Sequence, residues 1–230
     1  MDASQIAVLI PTYNEANTVI SIVEHCLYYS PNVIAVDDGS TDVTALLLKA
    51  TDALVLENEK NSGKGASLLK GFKTVVDKNF LGVVTLDADG QHDQNDLARF
   101  FTRIVKNPHA LIIGARKQGK QKAPKNRWMA NKIADFFISI AAKQWLPDTQ
   151  SGFRYYPTSF LKTELAHFPV FNRFAFESQI LIQAARAGFM IDSITIPVCY
   201  PKNARASYYR PGRDTWEITK AVTKAILLGR

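Results

Sequence analysis

The sequence predicts an α/β fold in three layers, with a mainly parallel central sheet between two layers of helices. Three observations predict it. Short, apolar, β-branched runs recur along residues 6–115, they alternate with stretches of helical periodicity, and three of the runs lead into loops rich in Gly, Asp, Asn and Ser. Runs of four to six continuous apolar residues suit strands buried on both faces, because crossover helices cover both sides of a parallel sheet. In order, IAVLI (6–10) precedes a helical stretch at 15–30, and VIAVD (33–37) precedes one at 41–50. ALVLE (53–57) precedes 65–77, GVVTLD (82–87) precedes 93–106, and ALIIGA (110–115) closes a βαβαβαβαβ pattern. Thr12 and Glu15 have the spacing of a capping box at the first helix, and Glu15 equally suits a ligand role. Beyond residue 116 the pattern changes. A helix at 126–145 places Met129, Ile133, Phe136, Phe137 and Ile140 on one face at spacings of three and four. A turn-rich stretch at 147–157, a helix at 176–187, a strand at 190–200 and an amphipathic helix at 215–228 follow.

Composition bounds the possibilities. A chain of 230 residues with 47% apolar residues suggests roughly one or two domains. At this length about 70 to 75% of the unfolded surface can be buried, so no disulfide or structural metal is required. The two cysteines, Cys26 and Cys199, have no metal-ligand or redox spacing and read as buried thiols in a reducing compartment. The N-terminus has Asp2 where a secretory signal carries basic residues, so no signal peptide is expected. No stretch approaches the roughly 18 apolar residues of a membrane span. The formal charge of +7 divides unevenly: 9 Lys+Arg against 14 Asp+Glu up to Ala110 gives −5, and 19 against 7 beyond it gives +12. A basic half suits nucleic acid, an anionic membrane or a phosphorylated ligand, or is simply a solvated surface. Arg116, Lys117, Lys120, Lys122, Lys125 and Arg127 form a run without an acidic residue, and Gly119 and Pro124 mark it as a loop.

In a parallel sheet the ligand lies at the carboxyl ends of the strands, and the loops there have unusual content. Asp87 and Asp89 project from one strand end at a spacing that can hold a hard divalent cation, Mg²⁺ or Mn²⁺, with substrate phosphates completing its coordination. Asp89-Gly90 also reads as a solvated turn pair. Asp37 and Asp38 end a neighbouring strand, and four carboxylates on one rim repel one another unless a cation or donor-rich ligand relieves them. Asn61-Ser62-Gly63-Lys64-Gly65 opens a helix whose free N–H groups and lysine favour phosphate, although it lacks P-loop spacing. Tyr13 could stack on a nucleobase or pack. No G-x-G-x-x-G follows the first strand, which argues against a dinucleotide oxidoreductase.

The order PTYNE, VDDGSTD, NSGKG, LDADGQHD and DTQSGFR resembles family 2 glycosyltransferases, and within them dolichyl-phosphate mannose synthases and bacterial polyprenyl-phosphate glycosyltransferases. The likeness is strong from residue 6 to about 155 and looser from Tyr156 onward. It implies a GT-A-type, Rossmann-like three-layer sandwich and one domain over 1–230, with a nucleotide-sugar-binding half (1–115) and a basic, acceptor-binding half (116–230). It implies an inverting enzyme that takes a hexose from a nucleotide-diphosphate sugar. Pro11, Tyr13, Glu15, Asp37 and Asp38 would surround the nucleoside, Lys64 would assist donor binding, and Asp87, Asp89 and Gln91 would hold the metal and diphosphate. Asp148 would act as base or acceptor-orienting group, with Glu177 its rival; related enzymes often have a second acid where this chain has Gln179. Arg116, Arg127, Asn131 and Arg205 would bind the phosphate of a polyprenyl acceptor. Pro124 stands where a Gln-x-x-Arg-Trp motif would have its Gln, which argues against a processive polysaccharide synthase.

A cation clamped by Asp87 and Asp89 suits a departing nucleoside diphosphate. A hydroxyl acceptor, of lipid or saccharide, would need a general base, whereas a lipid phosphate arrives already ionised, so base demand depends on the acceptor. Lys and Arg together with Trp128, Phe136, Phe137 and Trp145 suit a peripheral site on the cytoplasmic face of an anionic membrane, with no role for nucleic acid; ordinary core is the competing reading of those aromatics. Other classes meet obstacles. A haloacid-dehalogenase-type phosphatase would use Asp87 as nucleophile but leaves PTYNE unexplained. A sugar nucleotidyltransferase would open with a Gly-rich basic loop. A non-catalytic adaptor that binds anions or membranes through the basic half would tolerate loss of the carboxylates.

Overall fold

A computed structural model of the chain describes residues 3–116, 125–168 and 175–197, with Thr219 and Thr223. The strands are β1 (Ile6–Thr12), β2 (Val33–Asp37), β3 (Leu54–Glu57), β4 (Gly82–Thr85), β5 (Leu111–Arg116), β6 (Arg154–Pro157) and β7 (Ile191–Ile196). The helices are α1 (Val19–Tyr29), α2 (Thr44–Lys49), α3 (Lys64–Asp77), α4 (Leu97–Lys106), α5 (Lys125–Ala142), α6 (Thr158–Glu164) and α7 (Ala175–Arg186). The expected terminal helix is described only at Thr219 and Thr223, both helical. Cys199, Arg205 and the middle of the basic run lie outside the described residues, as does the side chain of Arg127 in α5.

One sheet takes the order β3-β2-β1-β4-β6-β5-β7. Every pairing is parallel except those of β6, which runs antiparallel to β4 and β5. The two-residue period of a strand explains why the runs are continuously apolar. In β1, Ala7 and Leu9 enter one core while Ile6, Val8 and Ile10 enter the other. β2 repeats this with Ile34 and Val36 against Val33 and Ala35, and β5 with Leu111 and Ile113 against Ile112. One core packs α3, α5, α6 and α7 onto the sheet; the other packs α1 and α4. At Gly71 of α3 an added Cβ would run into the buried Leu9 side chain, so α3 seats on β1 at a separation that any larger residue would keep only if Leu9 yielded.

The turn-rich reading of 147–157 needs correction, because its last residues form β6. Arg-Tyr-Tyr-Pro does not look like a central strand, yet Arg154, Tyr155 and Tyr156 are fully buried between β4 and β5. Its antiparallel direction brings the preceding loop to the carboxyl end of β4: Thr85 lies opposite Arg154, and the Thr85 hydroxyl donates to the Gly152 carbonyl at 2.8 Å. The capping box is also not made. Thr12 belongs to β1 and its hydroxyl donates to the Val36 carbonyl at 3.1 Å, while α1 begins only at Val19.

Helix α5 lies the other way round from its apolar periodicity. Asp135, Ile138, Ser139, Ala141 and Ala142 face inward, and Met129, Ile133, Phe136, Phe137 and Ile140 face out. The inward polar groups have work there. Asp135 accepts from the Thr149 N–H and hydroxyl at 2.7 and 2.8 Å, and Ser139 accepts from the Leu146 N–H at 3.0 Å. The core reading of Phe136, Phe137 and Trp145 therefore fails.

Candidate active site

The carboxyl ends of β1, β2 and β4 and the loop entering β6 converge on one rim. Beyond β2 and β3, Asp38 accepts from Asn58 Nδ2 at 2.8 Å and from the Ser62 and Gly63 N–H groups at 3.0 and 2.7 Å. Asp37 accepts from the Ser40 N–H at 3.0 Å and from its hydroxyl. Both carboxylates are buried. Two sequence expectations change as a result. The N–H groups ahead of α3 are taken up by Asp38 rather than left for phosphate, and the Asp37-Asp38 pair obtains its donors from the protein itself. These bonds join the loops after β2 and β3 into one support. Asn14, with φ of 55°, extends it: its N–H donates to Ser40 Oγ at 2.9 Å and its side-chain oxygen accepts from the Thr41 N–H at 2.8 Å. Pro11, Tyr13 and Glu15 lie partly buried on that stretch, and the Glu15 N–H donates to the Thr44 hydroxyl at 2.8 Å.

Asp87, Asp89 and Gln91 follow β4, all partly buried. Lys64, the first residue of α3, places its ammonium between Asp87 and Glu177, whose two carboxylate oxygens lie 3.1 and 3.2 Å away. Burial would lower the Lys64 pKa, but the two carboxylates outweigh it and hold the lysine above its ordinary value. Burial likewise opposes ionisation of Asp87, and Lys64 with His92 reverses that, leaving its carboxyl well below the usual range. Among the described residues, no cation pairs with Asp89. Burial, then the charge of Asp87, push its pKa up, against the Gln91 N–H that it accepts at 3.0 Å.

This donor set suits a divalent cation. Asp89 is a half-compensated carboxylate beside a second one, and a cation relieves the repulsion that now raises its pKa. Among the described residues no cluster of three or more His, Cys, Asp or Glu could hold a metal ion by itself, so any cation here needs oxygens from a ligand, as Mg²⁺ and Mn²⁺ sites at phosphates usually have.

On the other side, Asp148 accepts a forked pair from Arg116, Nε at 2.7 Å and Nη2 at 2.7 Å, and the Arg116 backbone N–H at 2.8 Å. Burial acts to raise the Asp148 pKa, but these bonds prevail and it lies below the ordinary value. Its φ is 47°, a left-handed conformation that Asp tolerates better than most residues.

The structure thus joins Lys64, Asp87 and Glu177 in one ion-paired group and Arg116 with Asp148 in another. Asn131 is partly buried on α5, and no described bond ties it to either group.

Three residues without a role in the sequence reading support the site. Arg154, fully buried, donates to the Thr149 and Glu177 carbonyls at 2.7 and 2.8 Å, linking the two groups from beneath. His92 is buried with Nε2 3.7 Å from Asp87, its ring edge-on to Phe153. At Gly152 a Cβ would lie 2.5 Å from an Asp87 oxygen and 2.8 Å from Lys64 Nζ. All three stand inside the LDADGQHD and DTQSGFR motifs, which was the available signal.

A parallel sheet with an antiparallel strand inserted beside an acidic rim is the frame of a GT-A glycosyltransferase. Glucosyl-3-phosphoglycerate synthase from Mycobacterium tuberculosis, solved with Mn²⁺, UDP and glucosyl-3-phosphoglycerate, superposes on 97% of this chain and 78% of its own with a TM-score of 0.69 at 18% identity. Residues 7–177 match the family Glycosyl transferase family 2, and the chain belongs to that family. The UDP-N-acetylglucosamine–dolichyl-phosphate N-acetylglucosaminyltransferase of Methanococcus voltae is 26% identical, covering 87% of this chain and 88% of its own. The undecaprenyl-phosphate mannosyltransferase of Micrococcus luteus is 25% identical, covering 98% and 96%.

Proposed function

We propose that this protein transfers a hexose from a nucleotide-diphosphate sugar to a polyprenyl phosphate, inverting the anomeric centre. The observation that carries the acceptor class is that both candidate bases are held in ion pairs. Asp148 is locked in a fork with Arg116 and acidified by it, and Glu177 shares the Lys64 ammonium. A good general base at neutral pH has a pKa near the working pH, and the fork with Arg116 takes Asp148 away from it. A hydroxyl acceptor would be poorly served. A phosphate monoester, with a second pKa near roughly 6, needs positioning and a positive surround instead. Relatives named for dolichyl, polyprenol and undecaprenyl phosphates support the same class.

In this reading residues 1–115 hold the donor and the basic half, 116–230, holds the acceptor. Pro11, Tyr13 and Glu15 line the nucleoside side above the Asp37-Asp38 support. Asp87 and Asp89, with Gln91 beside them, would hold Mg²⁺ or Mn²⁺, which supplies charge neutralisation for the leaving diphosphate. Lys64 adds a positive charge on the diphosphate side while staying within reach of Glu177. Asp148 orients Arg116, and Arg116 with Arg127, Asn131 and Arg205 receives the acceptor phosphate. Attack then comes from the face of the sugar opposite the departing diphosphate, so one displacement inverts the centre without a covalent sugar-enzyme intermediate. No described helix is long and apolar enough to cross a membrane, and the acceptor's lipid tail places the enzyme peripherally on the cytoplasmic membrane face.

The test is a comparison of polyprenyl phosphate with polyprenol of the same chain length across a panel of nucleotide sugars with Mn²⁺, read by product mass. Glycosyl phosphate should form and glycosyl ether should not. Equal kcat/KM on the alcohol would refute the reading.

A further inference from the structure

Among the described residues, the outward stripe of α5 has no partner. Met129, Ile133, Phe136, Phe137 and Ile140 are 46–56% exposed, and Trp145 just beyond the helix is 72% exposed. Scattered exposed apolar residues are ordinary, whereas a contiguous stripe marks an interaction surface. Here the case is stronger than exposure alone. The helix has inverted its amphipathicity, putting Asp135 and Ser139 inside and two phenylalanines outside, and the five residues recur at three- and four-residue spacing along about three turns. No described residue covers that face, and a contiguous apolar stripe of this kind calls for an apolar surface against it.

Charge selects the occupant. Exposed Lys132 and Lys143 stand beside the stripe, α5 begins with Lys125 and Arg127, and residues 111–230 have a net charge of +12. A second copy of the chain seated across a two-fold axis would bring the same basic segments together. An anionic bilayer accepts both features, apolar side chains among the acyl chains and lysines at the headgroups. Position agrees. The inner face of the same helix fixes the Asp148–Gly152 loop through the Asp135 bonds to Thr149, so a membrane bound by the outer face lies one helix thickness from the acceptor-side residues.

We infer that α5 is an interfacial helix that lies in the headgroup layer of an anionic bilayer through Met129, Ile133, Phe136, Phe137 and Ile140. The inference deepens the lipid-acceptor reading and rests on it for its biological purpose. Its test is independent of catalysis: co-sedimentation with vesicles of phosphatidylcholine alone or with 30 to 40% phosphatidylglycerol (roughly the anionic content that draws basic segments), all free of polyprenyl phosphate. The full chain should bind the anionic vesicles and bind neutral ones at least about tenfold more weakly. Phe136→Ser with Phe137→Ser should lower anionic-vesicle binding about tenfold or more, from the lost apolar burial, with the circular dichroism spectrum unchanged. If that double variant does not fold, Ile140→Gln is used instead and should weaken binding several-fold. Turnover of a water-soluble, short-chain isoprenyl phosphate should stay at the parent value, so that loss of catalysis and loss of docking are read separately. Undiminished vesicle binding by the folded variants would overturn the inference, as would a parent dimer in light scattering that the same substitutions convert to monomer.

Discussion

At the acidic rim, residues of the same type are set apart by what surrounds them. Asp38 accepts from the Asn58 side chain and from two backbone N–H groups; Asp87 is neutralised by Lys64; Asp89 keeps a raised pKa because burial and Asp87 both oppose its charge. The chain order alone showed that these carboxylates gather at strand ends. Which of them is compensated was hidden, since the deciding partners are remote: Glu177 stands 113 positions from Lys64 and Asp148 stands 32 from Arg116. Asp148 yields a signed expectation. Its folded pKa lies below the unfolded value of about 3.9, so its pairing with Arg116 stabilises the fold fully above that value and is lost as pH falls through the lower folded one. Asp148→Asn should therefore reduce unfolding free energy at pH 7 by about 1.5 to 3 kcal/mol, and the deficit should shrink as the pH is lowered below about 4, as urea denaturation at several pH values would show. A deficit independent of pH would mean that the fork with Arg116 contributes nothing through charge.

Strands β1, β2, β4 and β5 were legible as elements because burial on both faces leaves a plain run of apolar residues, and the edge strand β3, only partly buried, still showed its apolar Leu54–Leu56 run. β6 was not. Its four residues begin with Arg and end with Pro, and the sheet accommodates them because Arg154 finds carbonyl acceptors from two other elements, a compensation that no local pattern displays. The apolar stripe of α5 was legible as a stripe, but periodicity says only that two faces differ, not which one turns inward. Local polar demands decided it, through Asp135 and Ser139. The insertion of β6 also explains why Gly152 is confined against Asp87 and Lys64. Those contacts are with the ends of side chains, so Gly152→Ala should move Lys64 and Asp87 rather than the backbone. Activity should fall about tenfold or more, in line with a misplaced catalytic group, while the melting temperature changes by no more than a few degrees. Retention of parent activity would show that the Lys64–Asp87 pairing is dispensable.

Across the whole molecule, the proposed division between a cation-assisted donor side and an anionic acceptor side follows the split between an acidic first half and a basic second half. That charge split was visible in the sequence before any coordinate, and the sheet gives it a physical axis: β1, β2 and β4 end at the carboxylates, whereas Arg116 ends β5 on the other side of β6. In the proposed reading, Asp87 and Asp89 receive the donor diphosphate together with a divalent cation. Calorimetric titration of nucleotide sugars into the protein, with Mn²⁺ and with chelator, measures this at the site itself. One donor class should bind, should need Mn²⁺, and should be weakened by Asp89→Ala by about a hundredfold, the scale of losing a principal diphosphate contact, with the fold intact by circular dichroism. Tight donor binding in chelator, unchanged by Asp89→Ala, would contradict it.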